Sequence, residues 1–105
     1  MSFLAYDLSL DLIRCLREPL AIIQRQDSAL AKQGRNAVNS VALNLAEGSG
    51  RTGGDRQHHF RIALGSLREV GAVLEIAAAH AWIASPALAA ERDRLCGIIF
   101  GLQRR

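Results

Sequence analysis

Residues 40–51 read SVALNLAEGSGR, and the fold follows from what repeats within that stretch and what ends it. Ala37, Val38, Val41 and Leu45 recur at helical intervals, while Asn36, Ser40, Asn44 and Glu47 trace a polar stripe at spacings of 4, 4 and 3. A helix turns once every 3.6 residues, so these two sets occupy different faces of one helix. Gly48 falls where a left-handed terminating residue is expected, and Gly50, Gly53 and Gly54 follow it. The spacing therefore predicts a helix ending near Glu47 and a turn over residues 48–54.

The same reasoning extends outward to three more helices. Leu8, Leu12, Ile13, Leu16, Leu20 and Ile23 predict an inward face for a first helix covering about 4–18, with a kink or break near Pro19, whose ring crowds the preceding turn and which donates no hydrogen bond. Asp27 or Ser28 is placed to cap the second helix. Asp55 is the expected cap of the third, in which Phe60, Leu64, Leu67, Gly71, Leu74, Ala78 and Ala81 alternate spacings of 4 and 3 as in a short coiled-coil seam. Ser85 with Pro86 at the first helical position is expected to open a fourth helix running to about Gln103. Leu88, Leu95, Ile98, Ile99 and Leu102 form its apolar surface, and Arg104 and Arg105 suit its C-terminal dipole. Short connections favour an antiparallel, up-down-up-down four-helix bundle of the all-α class. Gly34, Gly65, Gly71, Gly97 and Gly101 each weaken a helix by about 1 kcal/mol relative to Ala, and close helix approach is the expected compensation.

A chain of 105 residues is one domain, able to bury a single core without staples. No run approaches the roughly 20 apolar residues of a membrane span. Asp7 and Asp11 stand where a signal peptide would carry cations, so a cytoplasmic location is expected, with no membrane partner. Cys15 and Cys96 lack ligand spacing and lie in apolar helical patterns. They read as buried, reduced thiols, with a disulfide between them left open. The net charge of +3 is not spread evenly. Residues 1–34 and 69–105 each balance, and Arg35, Arg51, Arg56, Arg61 and Arg68 against Glu47 and Asp55 carry the whole excess.

SVALNLAEGSGR, with Leu30, Gln33, Arg35 and Ala37 before it and FRIALGSLRE at residues 60–69 after it, resembles the small bacterial four-helix-bundle family encoded by 23S rRNA intervening sequences. The accessory protein of diversity-generating retroelements is similar. The resemblance spans about residues 30–83. It implies an antiparallel bundle assembled as a ring-like homopentamer, with nucleic-acid binding and, in the retroelement branch, a reverse-transcriptase partner. Ser40, Asn44, Glu47, Gly48, Gly50 and Arg51 are the structural motif it carries. The chain departs from the family pattern at Asn36, where an Arg pair with Arg35 is usual, and at Leu64, often Arg.

Against that background the cationic set Arg51, Arg56, Arg61 and Arg68, with His58 and His59 nearby, is the candidate nucleic-acid surface. A pentamer would multiply the local excess to about +15, and neutralising phosphates with release of counterions would convert that charge into affinity. The opposing reading has these arginines solvated or paired with Glu47, Glu69 and Glu75. Aromatic residues are not interleaved with them, so base stacking is not expected. The aliphatic residues Ile62, Val70, Val73 and Ile76 lie partly outside the third helix's seam, and self-association would cover them.

Other motifs weigh less. Gly48, Gly50 and Gly53 fit GxGxxG, but that fingerprint works between a strand and a helix, and no strand pattern exists, so no cofactor is expected. Free N–H groups opening the third helix, flanked by Arg51 and Arg56, would suit a phosphate, whereas Asp55 would cap them and repel it. The stripe Asn36, Ser40, Asn44 and Glu47 reads as a register-fixing hydrogen-bonded set, Glu47 pairing with an Arg such as Arg35 or Arg61. The alternative sets Glu47 in a central channel as a functional acid. His58 and His59 diverge by about 100° on a helix and cannot share a metal. No catalytic constellation is present, and the chain reads as no enzyme. A scaffold that docks a reverse-transcriptase-like partner is the alternative to RNA or DNA contact.

Overall fold

Asp27 does the work of a whole connection. Its backbone N–H closes the last turn of one helix on Ile23 O at 2.7 Å, and its Oδ1 accepts from Leu30 N at 3.0 Å to cap the next. The computed structural model describes residues 3–104, in which four α-helices and no strand occur: α1 Leu4–Gln26, α2 Ser28–Ser49, α3 Gly53–Ala79 and α4 Ala89–Gln103. Arg105 lies outside the described residues.

Each helix packs on its neighbours in sequence, and α4 closes on α1, so the four form a bundle with a single core. Gln24 of α1 meets Arg35 of α2, Ser40 and Asn44 of α2 meet Ser66 and His59 of α3, and Gly71 of α3 lies beside Arg92 of α4. The bundle's long dimension, 42 Å, is about what the 27-residue α3 spans at 1.5 Å per residue.

Leu12, Leu16, Leu20 and Ile23 are buried in one unbroken series, so α1 does not break at Pro19 but continues to Gln26. The carbonyl that loses its donor belongs to Cys15, on the exposed side of the helix, while burial of Leu20 and Ile23 beyond it offsets the local penalty. Leu8 and Ile13 are half-buried against the core. Ser9, fully buried, returns its hydroxyl proton to Tyr6 O at 2.6 Å.

Three further expectations are corrected. Gly48 does not terminate α2: it lies within the helix, where a Cβ would stand 2.6 Å from Phe60 Cε1. Its role is close approach of α2 and α3, and the turn shrinks to 50–52, with Gly53 supplying the positive φ of 61°. Asp55 is not the cap of α3. Thr52 occupies that position, and Asp55 sits one turn inside. Helix α4 opens at Ala89 rather than Ser85. Trp82, Ile83, Ala87 and Leu88 pack against the core, which draws segment 80–88 across the end of the bundle. That path requires left-handed Ala81 and Leu88, each at φ 61°, at a cost of about 1 kcal/mol apiece.

The seam of α3 is buried from Phe60 to Leu74, whereas Ala78 is half-buried and Ala81 lies past the helix end. Val70 and Val73 join the core, but Ile62 and Ile76 are 37% and 45% exposed. Of the five glycines that the sequence pattern sets inside helices, Gly34 and Gly71 are closely approached, Gly34 by Leu20 and Val73 and Gly71 by the Arg92 side chain. Gly65, Gly97 and Gly101 have open space where a Cβ would be. Cys15 is exposed and Cys96 half-buried, and both are free thiols. Cys15 is therefore not the buried thiol its apolar neighbours predict, because it stands on the flank of α1 that faces a groove rather than the core.

Candidate nucleic-acid interface

A chain of polar contacts crosses from α2 to α3 and then returns around the turn. Ser66 Oγ donates to Ser40 Oγ at 2.8 Å, and Asn44 Nδ2 donates to Ser40 O at 2.9 Å and to Ser40 Oγ at 3.2 Å. With its Nδ2 so committed, Asn44 offers Oδ1 as acceptor to His59 Nδ1, 3.0 Å away. His59 Nδ1 must therefore carry a proton, which leaves Nε2 as the acceptor of the neutral ring. Nε2 lies 3.8 Å from Asp55 Oδ1, so protonation of the ring turns that contact into an ion pair.

Arg51 completes the chain. Its guanidinium bridges Glu47 Oε1 at 2.7 Å and Asp55 Oδ2 at 3.2 Å. The hydrogen bond from Arg51, then its charge, holds the Glu47 carboxyl below its usual range, and the hydrogen bond to Glu47, followed by the charge of Asp55, raises the guanidinium further. Both groups are solvent-exposed, so this pairing fixes geometry at the turn more than it stabilises the fold. Glu47 takes Arg51 as partner, not Arg35 or Arg61, and Asn36 is exposed outside the network.

The four candidate arginines are thus unequal. Arg51 lies between two carboxylates, and the site it forms with them has net negative charge. Arg56 is turned back over the Phe60 ring, 5.2 Å from its centroid, with an Nε that is buried and without a partner. Neither flanks an open anion site at the start of α3, where Asp55 stands in the first turn. Arg61 and Arg68 are exposed, seven residues apart on α3, and without an ion-pair partner among the described residues. Glu69 and Glu75 do not pair with them. His58 is exposed, its ring edge-on to His59 at 5.9 Å, and no group of three His, Cys, Asp or Glu side chains is placed for a metal among the described residues.

Some participants escape the sequence pattern. Ser66 and His59 lie seven apart on the α2-facing edge of α3, a periodicity that marks their shared face but not their partners. Phe100 is 46% exposed, with the Arg104 guanidinium 5.4 Å from its ring centroid, a cation-aromatic pair on the outside of the bundle. Arg68 lines the α3–α4 groove together with Arg92. No helix among the described residues is long and apolar enough to cross a membrane.

Neither the curated proteins nor the solved structures contain a match to this chain. The model of the family described as 23S rRNA-intervening sequence protein does match, over residues 4–99. That span runs from the start of α1 to the last fully buried residue of α4, Ile99, so it takes in the network and the core together. The chain belongs to the 23S rRNA-intervening sequence protein family.

Proposed function

We propose that this protein is a non-enzymatic, cytoplasmic homo-oligomer, a pentamer as the family resemblance implies, that contacts RNA or DNA through a basic surface centred on Arg61 and Arg68. The observation that carries the reading is the contrast among its arginines: Arg51 is held between two carboxylates, while Arg61 and Arg68 stand exposed on one helix and make no ion pair among the described residues, although Glu75 and Asp93 share the groove beside Arg68. Guanidinium groups outside an ion pair are what phosphate neutralisation and counterion release require. Self-association is supported by Leu43, Ile62 and Ile76, at 69%, 37% and 45% exposure on α2 and α3, which a neighbouring subunit would cover.

The test is a salt titration of binding to labelled RNA and DNA, paired with native mass. Binding is expected to weaken steeply with salt, to fall sharply when Arg51, Arg56, Arg61 and Arg68 are all replaced by Ala, and to be nearly unchanged in Arg51→Gln alone. Salt-insensitive binding, or none at low ionic strength, removes the reading. A well-folded monomer at high micromolar concentration removes the oligomer. The same apolar exposure favours a second reading, a scaffold that docks a reverse-transcriptase-like protein. A reverse-transcriptase reading frame beside the gene would support it.

A further inference from the structure

The groove between α1 and α2 differs from its neighbours in charge. It encloses about 450 Å³ over a floor of Leu20 and Val38, both nearly fully buried, and is lined by Arg17, Arg35, Gln24 and Asn39. No carboxylate lines it. Three other grooves of the bundle each include one or more: Asp11 and Glu91 in the first, Glu75 and Asp93 in the second, Glu18 in the third.

Arg35 NH1 donates to Gln24 Oε1 at 2.8 Å. A neutral amide orients the guanidinium across the groove without cancelling its charge, unlike Asp11, which takes up the charge of Arg14 at 2.7 Å. The same bond occupies the Gln24 oxygen, so the amide's remaining hydrogen-bonding capacity includes its NH₂ donor. Gly34 draws the two helices together beside the groove, since a Cβ there would stand 2.8 Å from Leu20 Cδ2.

We infer that this groove binds the phosphodiester backbone of a nucleic acid. The inference rests on the nucleic-acid reading above and gives it a second surface. Two uncompensated guanidinium groups with amide donors between them match phosphate oxygens, and the aliphatic floor matches the carbon face of a sugar. No aromatic side chain lines the groove, so it recognises backbone rather than base. Because α1–α2 and α3–α4 are opposite sides of the bundle, the groove and the surface holding Arg68 are separable by mutation.

The experiment is fluorescence anisotropy of the full chain with a labelled oligouridine RNA across about 50 to 200 mM salt. Arg17→Gln with Arg35→Gln is expected to reduce the slope of log affinity against log salt by about 1.4, two contacts at about 0.7 each on a single strand. The affinity ratio of wild type to variant then shrinks about sevenfold across that range. Arg17→Lys with Arg35→Lys is expected to keep the slope, which separates lost charge from lost folding. Arg25→Gln with Lys32→Gln removes equal charge from exposed positions that do not line the groove, and is expected to change the slope by less than half as much. Equal losses in the two Gln pairs, or an unchanged slope in the first, overturn the groove while leaving nucleic-acid binding intact. Displacement of the RNA by polyglutamate at matched charge also overturns it, in favour of an acidic polypeptide. Absence of wild-type binding sinks the broader reading instead.

Discussion

Gly48→Ala is expected to destabilise the protein although it places the better helix former inside a helix. The added Cβ would stand 2.6 Å from Phe60 Cε1, 2.9 Å from Phe60 Cδ1 and 3.2 Å from His59 Cβ. The Phe60 ring is fully buried and has no flexible end with which to yield. Overpacking of this kind costs about 3 kcal/mol at its upper range, and the gain in helix propensity returns about 1 kcal/mol. The net is about 2 kcal/mol, or a fall in Tm of about 8 °C for a domain of this size. Gly65→Ala is the matched control: it is helical and exposed, and nothing lies within 4 Å of the new atom. It is expected to gain about 1 kcal/mol. Thermal and urea unfolding followed by far-UV circular dichroism would measure both, over a range of protein concentration so that a subunit contact at Gly65 reveals itself. Shifts of the same sign and size at every concentration would refute the claim that close approach, and not backbone conformation, keeps glycine at position 48.

Two further outcomes concern α1 and the turn. Pro19→Ala is expected to raise stability by up to about 3 kcal/mol, because the Cys15 carbonyl regains its donor in a helix that already continues past it; a loss on urea unfolding would mean that the proline ring's own packing dominates. The acid limb of stability should depend on Arg51. A carboxyl whose folded pKa lies below its ordinary 4.5 contributes stability that is present above that pH and lost as pH falls through the lowered value. The raised pKa of Arg51 leaves its own contribution constant throughout that window. Arg51→Gln is therefore expected to lose a small increment of stability near neutrality and to converge on the wild type as pH falls well below 4.5, which flattens the acid limb as read from denaturation midpoints across pH.

Apolar periodicity was sufficient to find the core of α1, α2 and α3, because burial of Leu16, Val41 or Leu67 depends on position within a repeat and on little else. The Asp27 cap was equally visible, since a carboxylate before a helical run has one obvious use. Gly48 was misread for a physical reason. A glycine near a helix end serves equally to reverse the chain or to admit a neighbouring ring, and Phe60, twelve residues on, decides which. Pro19 and Pro86 mislead in opposite senses: tertiary burial carries α1 through the first, and packing of Trp82 and Leu88 keeps the second out of a helix. Within the candidate site, Ser40, Asn44 and Glu47 were legible as a stripe. Glu47 was legible too as a partner for the arginines of the candidate surface, but the double pairing of Arg51 was not, since i,i+4 spacing to both Glu47 and Asp55 allows it without requiring it. The cation-aromatic pair at Phe100 and the groove at Arg17 and Arg35 need two helices or a surface to be seen.

The single-residue junction at Asp27 also bears on the order in which the chain can assemble. Two helices joined through one doubly bonded residue meet after almost no loop closure, so the N-terminal hairpin is the cheapest long-range structure to form. Segment 80–88, with its two left-handed residues, defers α4 until the surface that Trp82 and Leu88 cover already exists. Extra sequence grafted into that segment should slow only the last docking event, whereas a single insertion at Asp27 would unseat both helix ends at once.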